Sequence, residues 1–172
     1  MKSHFYIILL GLILLSCGNK PSESGTKTSV SESQKKASNS LTMKIDGIEW
    51  AADSKIFGSY DYKGYEKQIT IGGTSDAGTN SEKVFDINLH NTTGIGEYHI
   101  VDDNKDLNTA IFNNFKEGEE DVCGLQFGID LIVKVTKASK IPSIVEATFS
   151  GTLTCGSNRI LAITDGKFYY HE

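Results

Sequence analysis

The chain has 172 residues and a formal net charge of −5, from 17 Lys plus Arg against 22 Asp plus Glu. That charge is uneven: residues 18–40 hold four Lys and two Glu, whereas from Leu41 onward 12 Lys plus Arg face 20 Asp plus Glu, a net of −8. An acidic domain repels nucleic-acid phosphate and an anionic bilayer surface, so neither is an expected partner of the folded part.

In chain order, the first signal is an N-terminal targeting pattern. Lys2 supplies a short basic start, and residues 5–15 form an apolar run of 11 residues. That length suits a signal-peptide core and falls well short of the roughly 20 residues a membrane-crossing helix needs. The run ends at Leu14-Leu15-Ser16-Cys17, which resembles the lipobox of a bacterial lipoprotein: aliphatic and small residues, then the cysteine that receives lipid. The resemblance implies a signal peptide over 1–16, cleavage before Cys17, and a diacylglyceryl thioether with an amide-linked acyl chain on that residue. The expected location is therefore the bacterial cell envelope, at the outer membrane, with the lipid on Cys17 as the membrane contact. Two or more acyl chains anchor stably where one is marginal. An ordinary cleaved signal peptide or a single-pass anchor is the alternative.

After Cys17 the chain to residue 40 is Ser, Thr, Lys, Gly, Asn and Glu with almost nothing apolar. Such a segment cannot offset its ordering entropy by burial, so residues 17–40 read as a lipidated cysteine and flexible linker. The 23 residues after the cysteine would have a root-mean-square span of roughly 25–30 Å as a coil.

Residues 41–172 read as one all-β domain. Leu41, Met43 and Ile45 alternate with polar residues, and Asp46-Gly47 is the dipeptide favoured in tight type I′ hairpin turns. Strands are expected near 56–62 and 66–72, across Lys63-Gly64. Phe85, Ile87 and Leu89 alternate with Asp86, Asn88 and His90, and a strand at 97–101 follows Gly94-Ile95-Gly96. Residues 109–115 are a weaker strand, with a short helical turn at 107–112 as the alternative.

The C-terminal half is clearer. Leu125, Phe127, Ile129, Leu131, Val133 and Val135 share one face, and Val145, Ala147, Phe149, Gly151 and Leu153 share one face of the next strand. One buried and one wet face is the pattern of an antiparallel sheet. Residues 159–163 and 167–170 flank Asp165-Gly166 as a closing hairpin. About nine or ten short strands predict a single antiparallel β-sandwich or barrel.

With Cys17 assigned to lipid, Cys123 and Cys155 remain as an even pair in an exported, disulfide-permissive compartment. A hairpin of residues 123–135 and 143–155, with 136–142 as its loop, aligns them in a register whose facing numbers sum to 278. Val133 then faces Val145, Leu131 faces Ala147, and Ile129 faces Phe149. Phe127 lies over Gly151, Leu125 meets Leu153, and Cys123 falls opposite Cys155. A one-residue slip would turn a whole apolar face to water. The alternative is a pair of buried free thiols.

Ile45-Asp46-Gly47 with Trp50 and Ala52, Gly96 with Tyr98, Phe149-Ser150-Gly151-Thr152, and Ile163-Thr164-Asp165-Gly166-Lys167-Phe168 resemble small Bacteroidota lipoproteins of unknown function. The resemblance extends over most of residues 42–170. Its motifs are turn glycines and core aromatics, so it implies an all-β fold and transfers no active site.

Few constellations carry chemistry. Asp102, Asn104 and Asp106 resemble the start of a calcium loop, but Leu107 and Asn113 stand where the helical-loop version requires Gly and Glu. An irregular site completed by Glu117, Glu119 or Asp121 is the functional reading, and a solvated acidic loop the structural one. His90 and His99 would meet only if their strands pair, and they lack the tight ligand spacing of a zinc site. No Gly-x-Ser-x-Gly elbow, His-Glu-x-x-His helix or phosphate-cradling loop occurs, and no cofactor is implied. Tyr60, Tyr62 and Tyr65 cluster around a turn, with Trp50 nearby in sequence, and such flat rings could bind a sugar or apolar ligand or instead pack the edge of the core.

Three readings follow. The first is a non-catalytic envelope lipoprotein whose β domain binds a ligand or an envelope protein. The second is a structural or interaction protein without a small-molecule site. The third, with least support, is an envelope hydrolase.

Overall fold

The computed structural model describes residues 38–103, 105–116 and 119–172. The expected signal peptide over 1–16, Cys17 and nearly all of the expected linker lie outside them. Among the described residues there are eleven strands and no helix. The strands are β1 (Ser40–Ile45), β2 (Ile48–Ala51), β3 (Ser54–Tyr62), β4 (Tyr65–Ser75), β5 (Lys83–Leu89) and β6 (Gly96–Val101). They continue as β7 (Thr109–Lys116), β8 (Glu119–Gly124), β9 (Ile129–Ser139), β10 (Ile144–Thr154) and β11 (Ile160–His171).

All pairings are antiparallel. One sheet has the order β2-β1-β11-β10-β9-β6 and the other β3-β4-β5-β7-β8. Each keeps two free edges, so the architecture is a sandwich and not a barrel. The inward faces are the expected alternating positions. Leu41 and Met43 of β1, Ile69 and Ile71 of β4, Phe85 and Ile87 of β5, and Leu131 and Val133 of β9 are all buried. Each such side chain contributes about 1.5–3 kcal/mol of burial, so this double layer is the main source of stability. Phe85 and Phe149 stack across the two sheets at 5.2 Å, and Trp50 meets Phe85 and Phe112 edge-on.

The turn at Asp46-Gly47 forms as expected, with both residues at positive φ (51° and 81°) as a type I′ turn requires. Three expectations need correction. The strand through Cys123 is not continuous with β9. Gly124, Leu125 and Gly128 adopt φ of 84°, 47° and 138°, so the chain turns at 124–128 and changes sheets. Leu125 and Phe127, expected in the core, are therefore exposed at that turn. The β9–β10 ladder shifts accordingly: Val133 faces Phe149, Leu131 faces Gly151, and Ile129 faces Leu153. From Ala147 onward the displacement is four residues along β10, an even number, so the apolar side chains there keep their face; between Glu146 and Ala147 an irregularity shifts the register by one more residue.

Second, the expected loop at 136–142 is mostly strand. β9 runs to Ser139, and only residues 140–143 turn. Third, Asp165-Gly166 makes a bulge inside one long strand rather than a closing hairpin. Asp165 has φ 54°, and the registers of β11 with both β1 and β10 shift there. The helical alternative at 107–112 does not form: Leu107 turns at φ 57° and β7 begins at Thr109.

Gly151 of β10 lies against the backbone of β9. Its φ is 150°, and a Cβ there would collide with the Asp130 carbonyl oxygen and lie 2.7 Å from Leu131 Cα. Both obstacles are backbone, so Gly151→Ala should lower stability by about 3 kcal/mol. The reading is a fall in the urea midpoint at unchanged m-value; an unmoved midpoint would mean the two strands can separate at that rung.

Candidate functional site

At one end of the sandwich, edge strand β3 meets the β9–β10 turn across a gap between the sheets. Two polar contacts hold the sides together: the Ser143 hydroxyl donates to the Gly58 carbonyl at 3.0 Å, and Lys140 Nζ lies 3.0 Å from Asp61 Oδ2. Between them opens a groove of about 400 Å³ lined by Phe57, Tyr62, Lys63, Ile141, Tyr170 and Glu172, among others. Its apolar groups are presented to solvent: Tyr62 is 60% exposed and Ile141 86%. Phe57 tilts against Tyr170 at 6.0 Å, and Tyr170 stacks parallel to Phe168 at the border of the core.

Gly58 sits beneath these rings because a Cβ there would strike Phe168 and Tyr170. The rim is charged. The Lys67 N–H donates to the Asp61 carboxyl and Lys140 sits beside it, and together they hold that group below the usual carboxylate range. Glu172, which also lines the groove, accepts the Ser143 N–H at 3.1 Å. The site thus offers flat rings for an apolar or sugar face, with a cation and an anion at its edges.

The four aromatic candidates do not form one cluster. Trp50 is in the core, 8% exposed, with its indole N–H donating to Ser75 Oγ at 3.0 Å. It does not reach the groove. Tyr60 packs against the core and against Gly94. Tyr62 and Tyr65 face each other across the β3–β4 turn, both exposed, and only Tyr62 lines the groove. Phe57, Ile141 and Tyr170 were not singled out in the sequence. Their signal was weak, because they come from three distant segments that only the two-sheet packing brings together.

At the opposite end, Cys123 and Cys155 are joined, and they also form an isolated antiparallel bridge. The bond links β8 of one sheet to the segment leaving β10 of the other. Asp121 beside it is engaged by Ser157 and Arg159. Although Asp121 and the two sulfurs have the spacing of metal ligands, the sulfurs are spent on each other. Asp102 Oδ1 accepts the Ile129 N–H at 2.9 Å and starts β9, and Asp106 lies near Asn91. Asn104 and Glu117 lie outside the described residues. His90 lies just past the end of β5, whereas His99 is on β6 of the other sheet and pairs with Asp130 at 2.7 Å.

In comparisons with known proteins, no family model, no curated sequence and no solved structure matches this chain.

Proposed function

We propose that the protein is a lipid-anchored lipoprotein of the bacterial cell envelope, held at Cys17, whose β-sandwich binds a ligand or envelope partner without catalysis. The observation that carries the binding half of this reading is the groove, in which Phe57, Tyr62 and Ile141 stand exposed and Tyr170 is half-buried, beside Lys63, Lys140 and Glu172. Large apolar groups held in the open by a rigid scaffold mark interaction surfaces. The position fits a tethered binder. β1 begins at this end, where the His171 N–H donates to Asn39 Oδ1, so the linker would join the domain beside the groove.

Rings bordered by both charges suit fragments of envelope polymers that combine sugar faces with amine and carboxylate groups. Titration of the chain with saccharide and peptide fragments of the envelope should perturb the NMR signals of Phe57, Tyr62 and Tyr170 saturably. Phe57→Ala with Tyr62→Ala should abolish the response, because each ring removed forfeits roughly 0.5–1.5 kcal/mol beyond area burial. Fragments that shift none of these signals would exclude the groove as their site.

A further inference from the structure

The outer face of the five-stranded sheet holds an unpaired carboxylate. Phe85 and Ile87 are fully buried, so Asp86 between them points away from the core. Pairing sets it in one row with Gly72 of β4 and Ile111 of β7. The flanking positions on those two strands, Thr70, Gly72, Thr74, Thr109, Ile111 and Asn113, carry no charge.

Asp86 is half-buried, and burial alone pushes its carboxyl above the ordinary 3.8. Among the described residues no hydrogen bond or ion pair compensates. Gly72 makes the space, since a Cβ there would collide with Asp86 Oδ1. One rung along β7, Asn113 Oδ1 is buried and also lacks a hydrogen-bond partner. Two neighbouring acceptors without donors are costly in a folded protein unless something supplies the donors. Beside them, Val84 and Ile111 offer half-buried aliphatic surface.

We propose that this face docks a lysine or arginine side chain of a basic peptide segment, its cationic head donating to Asp86 and its methylene stem lying on Val84 and Ile111. The charge supports a cation, because residues 41–172 carry a net of −8 and no cationic side chain flanks Asp86 on the neighbouring strands. A neutral sugar would leave that carboxylate uncompensated. Calcium needs six to eight oxygens, and the neighbouring strands bring no second carboxylate. The site is separate from the groove and does not rest on the groove's reading.

The test is titration of the full-length chain in detergent with tri-lysine, following the Asp86 carboxyl carbon and the Asn113 side-chain amide by NMR. Both should shift saturably, with affinity falling about tenfold or more in Asp86→Asn as a charge-assisted contact is lost. Asp103→Asn, an exposed acidic control, and Tyr62→Ala should bind as the parent does. Asp86→Asn should also melt on the order of 3 °C higher at pH 7. That advantage should vanish below pH 3.8, where the parent's Asp86 is itself protonated. Unchanged affinity in Asp86→Asn, equal weakening in Asp103→Asn, a lowered melting point at pH 7, or shifts with calcium chloride or a neutral oligosaccharide but not tri-lysine would each overturn the proposal.

Discussion

Cys17→Ser should leave the chain unacylated and release any processed product from the membrane fraction. Of the three cysteines, Cys123 and Cys155 are bonded to each other, which leaves Cys17 as the sulfur available for a thioether. Each buried CH₂ of an acyl chain is worth about 0.8 kcal/mol, so losing even one chain shifts the membrane partition by orders of magnitude. No helix among the described residues is long and apolar enough to cross a membrane. Metabolic labelling with a fatty-acid probe, followed by fractionation, reads the result directly. Cys123→Ser should stay labelled and membrane-bound, which separates lipidation from any effect of misfolding. Labelling unchanged in Cys17→Ser would refute the assignment.

The sheet content was legible because both faces of most strands differ. Val133 and Val135 are buried while Lys134 and Thr136 are exposed, and period-two alternation detects that contrast without any knowledge of pairing. Register was less legible, since alternation fixes a face but not which even offset is used. The β9–β10 ladder and the thiol pair each satisfy the pattern at different offsets, and the turn at 124–128 absorbs the difference. Gly124 and Gly128 bracketing Leu-Gln-Phe were the available clue, outweighed by the apolar character of Leu125 and Phe127. Asp-Gly dipeptides were similarly ambiguous. Asp46-Gly47 ends a strand, whereas Asp165-Gly166 bulges within one, because the left-handed conformation Asp tolerates serves both geometries.

The candidate site was less legible than the fold. Tyr62 was visible as an aromatic beside a turn, but its groove partners Ile141 and Tyr170 lie far along the chain and meet it only across the sheet seam. Trp50 is near the tyrosines in sequence, which says nothing about direction. Its ring closes the core over Phe85 and Phe112. Asp86 looked like any outward residue of an alternating strand. What distinguishes it is the absence of a compensating partner, a property of the assembled sheet and not of the strand.

Removing the disulfide should be the largest single loss of stability in the folded domain. The bond spans 32 residues, and the chain-entropy treatment gives roughly 3–4 kcal/mol for a loop of that size. It also joins opposite sheets: Cys123 ends β8 and Cys155 follows β10, both essentially inaccessible to solvent. The turn between β8 and β9 hangs on this point, with the Leu125 N–H held by the Ala110 carbonyl and the Gly156 N–H by that of Val122. In the Cys123→Ala, Cys155→Ala variant the urea midpoint should fall by an amount equivalent to those kcal/mol, and amide exchange should quicken first at residues 124–128 and 155–159. The parent should yield no alkylatable thiol at either position until it is unfolded and reduced. Two thiols found before reduction would refute the bond, and a variant as stable as the parent would show that sheet packing alone holds β8 to β10.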